Sequence, residues 1–517
     1  MSPGRPECED ERVNFALAAR RPRFLVRSLV RAVDLASPAT VLALLLLWSL
    51  VMRCALFGNP LIDHDDEFYL LVGERMLHGV LPYVDIWDRK PVGLFLLYAG
   101  IRTLGGDGIV QYQLVACAFA AVTAFVIWLI ARRVAEPASA FMAAVIYLTY
   151  SVLFNGGGGE APVFYNLLVA LAAFVLVGLR RKAVAVPIAT ETLAAVGCAA
   201  MLLVGVAIQI KYTVIFEGLF FGVVLMGYAR VGRLSRPRFI ALTALWIACA
   251  LLPTMLATLA YAAMGHLDAF VQANFISIFY RHERELPANL RLAATIVLLL
   301  PLLYCAYQGW NRRVADRAGA EVKAFIVAWC AASILGYLAF GTYYDHYALP
   351  MLVPLSILAS LGFAASRTRI GARGTFAFAL AAACAAIVAR VYVTGDARQL
   401  APLSQLVRAN LNGCLFVYEG EPILYKTTNA CTLSKFVFPS HLNAAKERGA
   451  LGVDPQAETR RILALRPSVI VTSDHAHPAD TNFGTRALVE QALMHDYRLA
   501  GAATVGTSRW LVYALRR

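Results

Sequence analysis

Apolar runs of roughly 18 to 25 residues recur along the first three quarters of the chain, each long enough to carry an α-helix across a hydrocarbon core. They fall at residues 38–57, 108–131, 137–154, 161–179, 190–210, 212–229, 239–262, 290–309, 322–340, 347–366 and 375–394. A shorter run, residues 91–104, predicts an interfacial or re-entrant helix instead. After Thr394 the pattern changes. Helical periodicity over 399–412, 455–465 and 485–495 alternates with strand-like stretches at 414–418, 468–472 and 510–515. That tail of about 120 residues is large enough to bury its own core, and it predicts a small α/β domain.

The chain is 517 residues long with 59% hydrophobic and 15% charged residues, which places it with polytopic membrane proteins rather than soluble ones. No small-residue cleavage pattern follows the first apolar run, so it reads as an uncleaved first span. Residues 1–35 precede it, and from Val13 to Val33 apolar residues alternate with arginine. This segment is either a basic amphipathic helix on anionic cytoplasmic lipid or a solvated charged tail. The formal charge of +14 invites a nucleic-acid partner, but the basic residues sit in short clusters between apolar runs. Topology accounts for them better, and no nucleic acid is expected.

The positive-inside rule orients the chain. Arg20, Arg21, Arg23, Arg27 and Arg31 place the N-terminus in the cytoplasm. With eleven spans, the clusters at Arg132, Arg180, Arg230, Arg312 and Arg367 all fall on that same side. The opposite side receives residues 58–107, 155–160, 210–212, 264–289, 341–346 and everything after Thr394. The step most open to change is the break at Lys211, because one long helix there would invert the second half. Seven cysteines are scattered singly in apolar runs, and no metal-type spacing appears among them. Cys414 and Cys431 share the polar tail, where a disulfide between them remains open.

The first outside loop holds Asp63, Asp65, Asp66, Glu67, Glu74, Asp85, Asp88 and Lys90 between apolar stretches. Carboxylates crowded beside low-dielectric lipid have their pKa raised by desolvation and like charge, which suits a general base or a cation site. A helix cap or solvated loop explains the same acids without chemistry.

The fuller pattern is Asp65-x-x-x-Tyr69, then Pro82-Tyr83-x-Asp85, then Lys90-Pro91. It resembles the first extracytoplasmic loop of glycosyltransferase family 39 and its bacterial relatives in the GT-C superfamily of polyprenyl-phosphate-sugar-dependent transferases. Two departures stand out: Asp65-Asp66 replaces the family's Asp-Glu, and Lys90-Pro91-Val92 replaces Lys-Pro-Pro. Asp66-Glu67 is the competing register, though the spacing to Tyr69 favours Asp65. The resemblance implies an all-α polytopic GT-C-like fold of about eleven transmembrane helices, with surface helices in the first loop. It divides the chain into residues 1–35, a transmembrane domain over 36–394 with the active site in 58–107, and an extracytoplasmic α/β domain over 395–517.

The implied activity is inverting transfer of a sugar from a polyprenyl-phosphate-linked donor to an extracytoplasmic glycolipid, polysaccharide or protein. The implied place is a bacterial-type inner membrane. Asp65 is the candidate base with Asp66 as helper, and Lys90, Lys211 and His346 are candidates for the donor phosphate. Tyr69, Tyr83, Asp85, Glu160 and Tyr347 are candidate substrate contacts. Lys211 also reads as a snorkelling interfacial lysine, and the tyrosines around His346 as an aromatic belt. Glu217 is a possible partner for Lys211 if both lie on one wall. The glycine run 156–159 lacks a preceding strand and is not a nucleotide phosphate loop. A divalent cation in the acidic loop is open, without assigned ligands. The alternative is a transporter or flippase for envelope glycoconjugates, which predicts internal repeats that the chain does not display. A receptor or scaffold leaves the Asp65 to Lys90 pattern unexplained.

Overall fold

The structure is a computed structural model describing residues 35, 37–185, 187–281, 285–365, 370–475 and 480–516. The expected basic segment lies outside the described residues except for Leu35, as do residues 282–284. Helix α1 (Pro38–Arg53) starts on a Ser37 cap with proline in its first turn, which satisfies free N–H groups and presets φ. The chain then passes through two 3-10 turns into α2 (His64–Met76). Asp63 caps this helix, its Oδ1 accepting from the Asp65 N–H at 2.8 Å. Asp65, Asp66 and Glu67 fill the first turn, where the helix dipole favours negative charge. Helix α3 (Val92–Arg102) follows Pro91 and packs on α2. A Cβ at Gly73 would stand 2.7 Å from the backbone of Tyr98 and Ala99, so this close crossing requires glycine.

The bundle continues through α4 (Ile109–Ala131), α5 (Pro137–Leu153), α6 (Ala161–Ala185), α7 (Thr190–Ile208), α8 (Ile215–Val231), α9 (Arg236–Ala263), α10 (Glu285–Asn311), α11 (Arg317–Phe340), α12 (Leu349–Ala365) and α13 (Ile370–Thr394). Among the described residues, ten helices are long and apolar enough to cross a membrane. The expected span at 137–154 is α5, whose 17 residues make it a shorter apolar helix. It is buried without interruption from Ala143 to Leu153, among α1, α4, α12 and α13. The break at Lys211 is present: the residue is extended, with φ −156° and ψ 129°, and a 3-10 turn leads into α8. Leu219, Val223, Ile240, Leu256 and Leu259 are exposed on α8 and α9, an apolar surface whose natural solvent is lipid. The chain is a multi-pass membrane protein.

Beyond α13 comes α14 (Ala397–Asn410), then a four-stranded sheet with two further helices of ten residues or more and two helical turns of five and four residues. The elements are β1 (Leu415–Val417), α15 (Pro455–Ala464), β2 (Val469–Ser473), α16 (Phe483–Asp496), β3 (Tyr497–Val505) and β4 (Ser508–Leu515). Their order in the sheet is β1-β2-β4-β3. β1 and β2 are parallel, with Phe416 opposite Ile470, and the other pairings are antiparallel. Strand β3 is an addition to the expected set. Its Ala500-Gly501-Ala502-Ala503 core has weak strand propensity, and the pairing slips between Leu499 and Gly501. Cys414 and Cys431 form a disulfide just before β1.

This sheet unit is tied to the first loop. The Trp87 N–H donates to the Lys435 carbonyl at 2.8 Å, and Arg75 Nη2 donates to the Ala430 carbonyl at 2.8 Å. The Ile423 N–H donates to Glu67 Oε2 at 3.1 Å, and Lys426 pairs with Glu74. Buried Glu447 accepts from Arg89 Nη1 at 3.2 Å and from Arg281 Nε at 2.9 Å.

Candidate active site

The first turn of α2 presents acids in several directions. Asp65 and Tyr69, four residues apart, share one face. Asp65 Oδ2 lies 3.0 Å from Lys90 Nζ and accepts from the Tyr69 hydroxyl at 3.0 Å. Lys90 Nζ also donates to the Tyr69 hydroxyl at 2.7 Å, closing a triangle. Lys90 is held by its backbone. Its N–H donates to Asp88 Oδ1 at 2.7 Å, and its carbonyl accepts from the Tyr83 hydroxyl at 2.8 Å. Tyr83 is fully buried at φ +71° against Tyr261 and Phe270, so it sits behind Lys90. Asp85 is exposed and accepts from the Leu81 N–H at 2.8 Å, closing the turn before Lys90.

Asp66 points elsewhere. It is fully buried, and its Oδ2 accepts from the Gly159 N–H at 2.7 Å. A Cβ at Gly158 would lie 2.1 Å from that oxygen, and one at Gly159 would lie 2.1 Å from the Tyr98 hydroxyl. The glycine run is therefore a platform pressed against α2 and α3. Asn155 at its start donates to Asp63 Oδ2 at 2.6 Å, and the run ends in buried Glu160. Neither oxygen of Glu160 accepts a hydrogen bond among the described residues, and His346 Nδ1 stands 3.4 Å from Oε1. The ring of His346 stacks on Tyr344 and meets Tyr347 edge-on at 4.6 Å. Lys211 is buried with its Nζ 4.1 Å above the Tyr347 ring.

Residues from distant parts of the chain thus converge: Asp65, Tyr69, Lys90, Glu160, Lys211, His346 and Tyr347. Glu217 does not pair with Lys211 among the described ion pairs. It lines a small pocket with Tyr165, Tyr337 and Tyr347. Arg281 joins Glu447, in the contact that ties the first loop to the sheet unit. Sequence reasoning missed Asn155, and it missed the anchoring role of Asp88. The signal available for Asp88 was its spacing two residues before Lys90.

Charge is distributed unevenly over the site. Burial pushes the Asp65 carboxyl up, but Lys90, with the Lys90 and Tyr69 hydrogen bonds, outweighs it and holds Asp65 well below the usual carboxylate range. Lys90 is held above the ordinary lysine range despite burial, by Asp65, Asp88 and Glu160. Asp66 is raised by burial and by Asp63, and Glu160 by burial and by Asp63, Asp65 and Asp66. Burial, opposed by Glu160 and reinforced by Lys90, brings Lys211 down to about 8. Asp63, Asp65 and Glu160 each offer a carboxylate oxygen, all within 4.8 Å of one another. Such an all-oxygen set fits a hard divalent cation.

A multi-pass helical bundle with helices in a long first loop and a small α/β unit after the last span is a fold also seen in solved membrane proteins. Two solved structures of ArnT from Cupriavidus metallidurans are similar over nearly their whole length. The apo form has a TM-score of 0.62 at 15% identity, covering 92% of this chain and 98% of the other. The form bound to undecaprenyl phosphate has a TM-score of 0.60 at 14% identity, covering 92% and 97%. An oligosaccharyltransferase from Archaeoglobus fulgidus, tethered to an acceptor peptide, has a TM-score of 0.50 at 12% identity, covering 93% and 74%. No family model matches, and no curated protein does. At these identities the likeness is one of fold.

Proposed function

We propose that this chain is an inverting glycosyltransferase that moves a sugar from a polyprenyl-phosphate-linked donor to an extracytoplasmic acceptor in a bacterial-type inner membrane. The observation that carries the reading is the Asp65-Lys90-Tyr69 triangle, with Lys211 and His346 converging on the same site, in a fold solved elsewhere with undecaprenyl phosphate bound. The arginine clusters support placing this end of the bundle outside the cytoplasm. A lipid tail can enter sideways between helices while its phosphate stays at the site.

Each residue then has a task. The acceptor hydroxyl attacks the anomeric carbon as the bond to the donor phosphate breaks. The phosphate leaves with the electron pair, and the proton passes to Asp65. Lys90, Lys211 and His346 stabilise the charge that develops on the phosphate. Lys90 has a second effect. While it is paired with Asp65 the carboxylate is a weak base, and a donor phosphate that draws Lys90 toward itself restores that basicity. Donor binding and base activation are thereby coupled. Asp66 supports the glycine platform from a buried position. A divalent cation, where present, would be held by Asp63, Asp65 and Glu160 and would supply positive charge beside the leaving phosphate.

The test is transfer in detergent from polyprenyl-phosphate sugars to extracted envelope acceptors, comparing wild type with Asp65→Asn and Lys90→Ala. Product from wild type and none from Asp65→Asn supports the reading. Full activity in Asp65→Asn removes its central step.

A further inference from the structure

A cavity of about 660 Å3 lies at the carboxyl ends of the parallel strands β1 and β2, between Glu419, Ser473 and Asp474 on one side and Arg509 and Trp510 of β4 on another. The crevice beyond the carboxyl ends of parallel strands is where open α/β sheets bind ligands, and the volume falls within the roughly 300–1,000 Å3 of small-molecule sites. His64, the first residue of α2, also lines it. Neighbouring Cα atoms are about 3.8 Å apart, so a ligand here would touch the turn that carries Asp65.

The walls narrow the ligand class. Glu419 is paired with Arg486 at 3.0 Å and also accepts from the Thr472 hydroxyl and the Ser473 N–H. Asp480 is paired with Lys446 at 3.0 Å, Asp474 stands 3.9 Å from Arg509, and His64 is 2.8 Å from Glu421. Glu419, Asp480 and His64 are thus each held by a counter-charge within 3.0 Å, and Asp474 faces both Arg509 and His475 at 3.9 Å, so the opposite charges of the lining are matched against one another. A metal ion needs uncommitted carboxylates, an anion needs uncommitted cations, and a hydrocarbon tail needs apolar walls. The remaining match is a neutral, hydroxyl-rich ligand. Its hydroxyls can use the polar atoms of Ser473 and Asp474, and its C–H faces can lie on the rings of Phe438 and Trp510.

We propose that this cavity binds a neutral saccharide unit of the acceptor, remote from the hydroxyl that is glycosylated. The word acceptor rests on the transferase reading above, whereas the saccharide class rests on the cavity alone. Binding energy from a remote unit would position the reacting hydroxyl over Asp65.

The experiment titrates the full-length protein in detergent, by calorimetry, with glucose, galactose, mannose, N-acetylglucosamine, maltose, lactose and chitobiose, using glucuronic acid as the anionic counterpart. At least one neutral sugar is expected to bind in roughly the millimolar range. Trp510→Ala is expected to weaken it about tenfold and Trp510→Phe by no more than about threefold, a tenfold change being about 1.4 kcal/mol. Ser440→Trp fills the cavity from a different wall and is expected to abolish binding. No binding of any neutral sugar by wild type, a preference for glucuronic acid, or unchanged affinity in folded Trp510→Ala or Ser440→Trp overturns the proposal. In a transfer assay, Trp510→Ala is expected to raise the acceptor KM about tenfold. Sugar binding lost in Trp510→Ala, together with no transfer by wild type, upholds the cavity and sinks the transferase reading.

Discussion

Replacing Asp65 by asparagine keeps the side chain's shape and removes its charge. Two consequences separate cleanly. First, general-base assistance is lost, which costs about 10²- to 10⁴-fold in kcat, or roughly 3 to 5 kcal/mol of barrier. Second, Lys90 is released from a partner 3.0 Å away. At an effective dielectric constant of about 20 that pair is worth about 5 kcal/mol of gross Coulomb energy. With side chains 20% and 27% exposed, solvent screening leaves a net value between those of surface and buried pairs, about 1 to 2 kcal/mol. The freed ammonium is then available to the donor phosphate, so donor affinity should tighten roughly 5- to 30-fold as turnover falls. Single-turnover transfer and direct binding of a polyprenyl-phosphate sugar measure the two quantities separately. A kcat within tenfold of wild type refutes the base assignment. A donor affinity that collapses along with kcat refutes the coupling, because Lys90 would then need Asp65 in order to bind phosphate.

Lys211, brought down to about 8, should lose its charge as pH rises through that value, so kcat/KM for the donor is expected to fall above about pH 8. Lys211→Arg should move that limb upward in a pH-rate profile, and an unchanged limb would remove Lys211 from donor binding. Gly158→Ala puts a Cβ 2.1 Å from Asp66 Oδ2 and should cost at least about tenfold in activity, with a lowered melting temperature. Wild-type activity and melting in that variant would show that the platform yields freely. Glu447→Gln removes the buried charge shared by Arg89 and Arg281 and should destabilise the fold by about 3 kcal/mol in denaturant melts. Despite burial, those arginines hold the Glu447 carboxyl at about 2, below its unfolded value, so its contribution is present above about pH 4.5 and lost as pH falls through about 2. The variant should therefore show less acid-linked loss of stability over that range.

What could be read from sequence follows the range of the interactions. Spans show themselves as runs, and Asp65 to Tyr69 is one helical turn, so both were legible from spacing. Lys211 and His346 were reachable only through family resemblance, since nothing local ties either to residue 65. Helix α5, expected as a full span, has 17 residues, at the short end of what can cross a hydrocarbon core, and run length alone does not separate such a helix from one buried in protein. Strand β3 escaped because alanine and glycine gave it no strand signature, and its place is set by pairing with β4. The contacts of Glu67, Arg89 and Asp63 with residues 423, 447 and 155 were illegible for the same reason: each is a long-range hydrogen bond or ion pair made by an unremarkable polar side chain.

The crowding of acids at the start of α2 follows from what surrounds that turn. Asp63 closes the helix and holds Asn155, while Asp65 faces Lys90 and Asp66 the glycine platform. His64 and Glu67, three residues apart, both face the C-terminal unit, through Glu421 and the Ile423 N–H. Five consecutive polar residues therefore serve a cap, a candidate reaction centre, a support and an interface, and a helix can aim consecutive residues in such different directions. The arrangement also ties the parts together. A displacement of the sheet unit would act through residues 64 and 67 on the rotation of α2, and hence on the distance between Asp65 and Lys90. Rotation by a single residue's turn, 100° on an α-helix, would swing Asp65 out of reach of Lys90. Contacts made by the C-terminal unit and the state of the candidate base thus share one rigid turn, which gives that unit a physical route to the chemistry.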